Sequence, residues 1–122
     1  GISGAGRGED GARATAAVCN KLHPTLIGVN MLTVYQDSKL YGEIRQGNWK
    51  EESETEKYRE VRALAEGLEI PTEFAAMGAS NAFQLYGVLP KDRAALISAI
   101  DRIIGTVKEE DLRKYRRNLP HL

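Results

Sequence analysis

Apolar and polar positions along this chain follow first one period and then another, and the changes of period mark the elements. From Glu9 to Leu22 small apolar residues recur at helical spacing, Ala12, Ala16, Cys19 and Leu22 with Val18 beside them, which predicts a short helix. Asp10 or Gly8 is placed to cap it, and His23-Pro24 to end it. The run PTLIGVNMLTVY, residues 24–35, is continuously apolar and rich in β-branched residues, so it predicts a strand covered on both faces. Alternation sets Ile27, Val29 and Met31 on one side and Leu26, Gly28, Asn30 and Leu32 on the other, a face holding a small residue and an amide.

SKLYGEIRQGNW, residues 38–49, reads as a short helical turn closed by Gly47. Ser53 and Glu56 have the spacing of a capping box, opening a helix whose apolar positions are Tyr58, Val61, Leu64, Ala65 and Leu68. Ile70-Pro71 stops it before a second strand, TEFAAM, residues 72–77. GASNAFQLYGVLP, residues 78–90, is expected to be a loop that delivers Pro90 to the first turn of a third helix. That helix carries Leu96, Ile97, Ile100, Ile103, Ile104 and Val107 on one face. The tail from Lys108 adds at most a turn, with Arg113, Lys114, Arg116 and Arg117 read as a solvated end offset by Glu109, Glu110 and Asp111.

The order helix, strand, helix, strand, helix spells an α/β fold, and a strand-helix-strand crossover makes the two strands parallel with a right-handed connection. A doubly wound sheet and a barrel both satisfy this pattern.

A length of 122 residues gives one domain, 1–122, with room for a core. With 17 basic and 17 acidic side chains there is no field that draws nucleic acid. The longest uncharged apolar run, Leu26 to Tyr35, falls far short of the roughly 20 residues a membrane helix needs. The single cysteine, Cys19, excludes an internal disulfide and a multi-cysteine metal site in this chain, and a reducing, cytoplasmic setting is the simplest expectation. Its Ala-rich surroundings fit a small buried hydrophobe better than a nucleophile.

Gly6 to Gly11 matches G-x-G-x-x-G, but a dinucleotide fingerprint needs a strand immediately before it, and only Gly1 to Ala5 precede this one. Asp37, just past the next strand, stands where a ribose partner would, in an incomplete unit. His23 and His121 have no partner at zinc spacing, and no metal ligand is assigned. Glu43, Glu51, Glu52, Glu54 and Glu56 lie on turns and a helix start, where negative charge has an electrostatic explanation. Ser80-Asn81 is different, because it follows a strand's carboxyl end, where α/β folds bind ligands.

Four stretches taken together resemble the C-terminal part of radical S-adenosylmethionine enzymes, in the oxygen-independent coproporphyrinogen III oxidase-like group. They are GISGAG with ARATAAVCNKLHPTLIGVNMLT, SKLYGEIRQGNW, and GASNAFQLYGVLPKDRAALISAID. The likeness runs in order through Thr15-Ala16, Asn20, Pro24, Leu40-Tyr41, Gly47, Ser80-Asn81, Gly87, Leu89-Pro90 and Asp92. The chain departs from the group at Gln36-Asp37-Ser38-Lys39, where relatives tend to carry Pro-Gly-Thr-Pro. It departs again at Gly28 and Asn30, where an arginine is usual, and at Gly78, where a histidine is expected.

The resemblance implies the last βα units of a partial TIM-type barrel, with parallel strands and helices on the outer face. It implies an oxidoreductase that binds a [4Fe-4S] cluster through Cys-x-x-x-Cys-x-x-Cys and cleaves S-adenosylmethionine reductively, with a small-molecule substrate. That cysteine motif is absent here, so the chain by itself is expected to hold no cofactor and to be inactive. By the same resemblance Gly1, Ile2 and Gly4 approach the cofactor, Leu32 and Thr33 offer backbone contacts to its adenine, and Asn30, Ser80 and Asn81 stand on the substrate side. The expected partner is the missing N-terminal part of the barrel, and in its absence a homodimer pairing the uncovered edges. The competing class is a small non-enzymatic α/β module that binds a ligand or a protein through the Gly1–Gly11 and Ser80-Asn81 loops.

Overall fold

Small residues set the first packing step. Helix α1 (Gly8–Leu22) buries Gly8, Ala12 and Ala16 against α3 (Glu54–Gly67), close enough that a Cβ on Gly67 would lie 3.0 Å from that of Ala16. Asn20 ties the two together, donating from Nδ2 to the Gly67 carbonyl at 3.0 Å and accepting from the Glu69 N–H at 2.8 Å. So close a contact covers only a narrow stripe of α1, leaving Val18 and Leu22 exposed and Cys19 half-buried against the core. The helix starts at Gly8, so the capping position falls to Arg7, whose side chain has no acceptor, while the expected caps Gly8 and Asp10 lie inside the helix and Asp10 pairs with Arg13. It ends at His23, whose left-handed backbone lets its N–H return to the Cys19 carbonyl at 2.9 Å.

The structure, a computed structural model, describes residues 1–120, and His121 lies outside the described residues. Its sheet has three strands in the order β1 (Leu26–Gly28), β2 (Thr72–Ala76), β3 (Leu85–Leu89). β1 and β2 run parallel, with Ile27 opposite Phe74, joined through α2 (Lys39–Arg45) and α3. β3 returns antiparallel to β2, with Gly87 opposite Phe74. The α/β class is therefore observed, in a small mixed sheet.

The 24–35 run is corrected in two respects. Only Leu26–Gly28 is laddered, and after the Val29 N–H bonds to the Ala75 carbonyl the chain leaves the sheet. Nor is the strand covered on both faces. Phe74, Ala76, Leu85 and Leu89 bury on the helical side with Ala65, Leu68, Leu96 and Ile100, whereas Leu26, Tyr86 and Val88 remain exposed.

The 78–90 loop is also corrected, because β3 lies within it and its burial alternates as a half-buried strand should. Pro90 precedes the third helix, α4 (Arg93–Thr106), rather than entering it, since Asp92 folds back on β3 and its Oδ2 accepts from the Val88 N–H at 2.8 Å. Gly87 permits that approach, as a Cβ there would stand 3.1 Å from Asp92 Cβ. The capping box forms as expected: Ser53 Oγ accepts from the Glu56 N–H at 3.1 Å, and Glu56 Oε2 accepts from the Ser53 N–H at 2.7 Å. The tail forms a true helix, α5 (Glu109–Arg117), that buries Leu112.

Candidate functional site

Two chain segments leave the carboxyl ends of the parallel strands, residues 29–35 after β1 and 77–84 after β2. Asn81, 1% exposed, joins them: its Nδ2 donates to the Val29 carbonyl at 3.0 Å, with Asn30 Oδ1 at 3.4 Å and the Gly78 carbonyl at 3.3 Å. Asn30 lies directly over Gly78, where a Cβ would come within 2.0 Å of its Oδ1. Gly78 is thus the residue that lets the two amides meet. Asn81 Oδ1 and Ser80 Oγ are buried without a hydrogen-bond partner among the described residues.

Arg116 of α5 completes the corner. Its Nη1 donates to Thr33 Oγ1 at 2.9 Å and to the Ser80 carbonyl at 2.7 Å, while Nε and Nη2 grip Glu54 as a fork at 3.1 and 2.9 Å. The Tyr115 hydroxyl donates to the Ala79 carbonyl at 2.6 Å. Underneath, the buried Lys57 ammonium donates to the Leu32 carbonyl at 3.0 Å, to Glu51 at 2.8 Å and to Glu54 at 3.0 Å. Tyr58 meets the Phe83 ring edge-on, and burial pushes its hydroxyl up to about 12.

Beside this corner runs an open groove of about 550 Å³ whose lining includes Thr33, Tyr35, Gln36, Asp37, Glu51 and Arg116. A smaller cavity of about 100 Å³ lies behind β1, between Asn30, Met31, Thr15, Lys57 and Glu60.

The structure therefore brings Asn30, Leu32, Thr33, Ser80 and Asn81 to one place. Gly1 adjoins them, as a Cβ on it would meet Leu32 Cβ at 2.9 Å. Ile2 faces solvent, and Gly4, at φ 86°, backs onto the Trp49 indole, with Trp49 Nε1 2.8 Å from where its Cβ would stand.

The glycine-rich string has its own occupants. The Gly6 N–H donates to Glu56 Oε1 at 3.2 Å, and Gly8 makes room for Glu52, whose Oε1 would be 1.9 Å from a Cβ. Carboxylates of α3 and the turn before it thus stand where a phosphate reading would put its anion. Burial, and after it the neighbouring Glu60 carboxyl, pushes Glu52 up to about 7 against the opposing pull of the Gly1 amine.

The solvated-end reading of the basic tail is corrected at Arg116, whose side chain is 11% exposed and spent on the corner. The residues that sequence reasoning passed over are Glu54, Lys57, Glu109, Tyr115 and Arg116. One signal was available, because Glu54 and Lys57 fall on the same helical stripe as Tyr58, Val61 and Ala65. Among the described residues no group of His, Cys, Asp and Glu could hold a metal ion, and no helix is long and apolar enough to cross a membrane. Comparison of the chain with protein families, curated proteins and solved structures gives no match.

Proposed function

We propose that this chain is the C-terminal part of a radical S-adenosylmethionine oxidoreductase of the coproporphyrinogen III oxidase-like group, supplying the last parallel strands of a partial barrel and part of its ligand-facing rim. The observation that carries the reading is the meeting of Asn30, Thr33, Ser80 and Asn81 at the carboxyl ends of two parallel strands, the end at which α/β sheets and barrels bind ligands. The single-sided helical layer supports it as well, since a barrel keeps its helices outside.

The iron-sulfur cluster does not fit this chain. Cys19 sits alone on α1, packed against the core, so the three thiolates must come from residues outside it. Nor does the chain offer a complete nucleoside site: of the backbone groups the resemblance assigns to the adenine, the Leu32 carbonyl already accepts from Lys57. No catalytic step is therefore assigned to its residues. They shape one side of a pocket, and Asn30 and the buried Ser80 Oγ and Asn81 Oδ1 are the groups that would face a polar substrate.

The test is the full product of the gene, reconstituted with iron and sulfide without oxygen and supplied with a reductant and S-adenosylmethionine. Methionine and 5′-deoxyadenosine are the expected products, with loss of both when the upstream cysteines are replaced by alanine. A gene product without a three-cysteine motif, or one that leaves S-adenosylmethionine intact, removes the reading. The pairing of Thr33 Oγ1 with Arg116, which engages the strand end within the chain itself, favours the second reading, a non-enzymatic α/β binding module.

A further inference from the structure

The rim of the strand-end corner is made of acceptors. The Glu54 carboxylate, 4% exposed, is joined there by the Ala79, Ser80 and Asn81 carbonyls, by Thr33 Oγ1 and by the unpartnered Asn81 Oδ1. Lys57 shares Glu54, but the donors to the three carbonyls and to Thr33 Oγ1 both belong to α5, Arg116 and Tyr115. Arg116 enters as a planar fork: Nε and Nη2 lie on the two Glu54 oxygens, and Nη1 turns to Thr33 Oγ1 at 2.9 Å and the Ser80 carbonyl at 2.7 Å. These four hydrogen bonds exceed the three that an ammonium has to give, and they follow the geometry of a guanidinium.

Little apolar surface fastens α5 over this rim. Leu112 is its buried side chain, and the rest of its grip is polar, through Glu109, Tyr115 and Arg116. Ser80 and Asn81, whose carbonyls α5 engages, each keep a buried side-chain oxygen without a hydrogen-bond partner among the described residues. The closed arrangement thus leaves polar capacity unused at the loop it covers. The open groove of about 550 Å³ borders on Arg116 and Thr33 and gives solvent access to that pair. We infer that this corner is a binding site for a guanidinium group, filled in the free chain by Arg116, and that α5 is a strap which a guanidinium-bearing ligand displaces; this rests on the corner being the ligand-facing rim proposed above, and not on cleavage of S-adenosylmethionine. The ligand takes over Glu54, Thr33 Oγ1 and the Ser80 carbonyl, and has Ser80 Oγ and Asn81 Oδ1 left to bond. Its apparent affinity is lowered by the fraction of chains in which the strap is closed.

Methylguanidinium, L-arginine and the peptide acetyl-glycyl-arginyl-glycinamide are the probes, with methylammonium as the control. In Arg116→Ala, methylguanidinium is expected to raise Tm saturably with half its effect at about 1–10 mM, far below denaturing concentrations, and to slow amide exchange at residues 78–83, whereas methylammonium does neither. The unmodified chain is expected to bind at least about 10-fold more weakly than Arg116→Ala. Tyr115→Phe, which loosens the strap, is expected to bind about 5-fold more tightly than the unmodified chain. In both chains that keep Arg116, binding is expected to speed exchange in α5 while residues 78–83 stay slow. Of L-arginine and the peptide, the tighter binder identifies a free small molecule or a polypeptide as the source of the group. A folded Arg116→Ala chain with no saturable response, or with an equal response to methylammonium, overturns the inference. Where that variant does not fold, Tyr115→Phe decides: binding no tighter than in the unmodified chain, or binding that leaves exchange in α5 unchanged, overturns it as well. Probe binding in a gene product that leaves S-adenosylmethionine intact keeps the site and discards the enzymatic reading, and cleavage without probe binding does the reverse.

Discussion

Lys57 stands where the stripe of α3 calls for an apolar side chain, and it is 1% exposed. Its three ammonium donors each have an acceptor, so the charge is held by full satisfaction of its hydrogen bonds. Lys57→Met would leave the buried Glu54 with Arg116 as its hydrogen-bonded counter-charge among the described residues, and is expected to cost about 3–5 kcal/mol, read as a drop in the urea midpoint.

Glu52 works in the opposite sense. Its carboxyl is pushed from 4.5 up to about 7, first by burial and then by Glu60, so between those values the folded chain keeps a proton that the unfolded chain releases. Stability from this group therefore falls as pH rises through that window. Glu52→Gln is expected to raise Tm at about pH 8 by on the order of 5 °C and to match the unmodified chain near about pH 5, in thermal unfolding at several pH values. A constant difference across that range would show that Glu52 is ionised throughout.

Among the elements, α5 does most to join segments distant in sequence. Glu109 at its start accepts from the Glu54 and Thr55 N–H groups at 2.8 and 2.9 Å and from Thr55 Oγ1 at 2.8 Å, so one helix caps another. Burial would raise the Glu109 carboxyl, but the hydrogen bonds from Arg113, Thr55 and Glu54 bring it down to about 2. Its contribution is thus present above the ordinary value of 4.5 and is lost as pH falls from there toward about 2. Glu109→Ala is expected to lower stability by about 1–2 kcal/mol at neutral pH and to flatten the acid limb of the unfolding curve. Sequence reasoning found the Ser53–Glu56 cap because both halves lie in one turn. It missed the Glu109 cap because the partners are 55 residues apart and nothing local ties them together. β3 escaped for a related reason: Gly87 reads as loop punctuation, while its role is to admit Asp92.

At the scale of the whole molecule, periodicity was enough to read the helical layer and the parallel pair, since both follow from which positions avoid water. Sequence reasoning brought Asn30, Thr33, Ser80 and Asn81 forward as strand-end positions or through the family likeness. Their union depends on Gly78 and Arg116, which have no periodic signature. The basic tail was the largest misreading, because its charges mask Leu112, Tyr115 and Arg116, a helical stripe that faces inward. That stripe makes a decisive prediction. Removal of residues 108–122 takes away the Glu109 cap, the burial of Leu112, and the fork on Glu54, leaving Glu54 with Lys57 alone. The losses amount to about 4 kcal/mol or more, a large share of the stability of a domain this size. The shortened chain is expected to unfold at a much lower urea midpoint and to lose exchange protection first in residues 78–83, whereas Tyr115→Phe costs about 1 kcal/mol and loosens only that loop. A shortened chain with an unchanged midpoint would make α5 an appendage, and the strand-end corner would then have to be held by the Asn30–Asn81 pair and Lys57 alone.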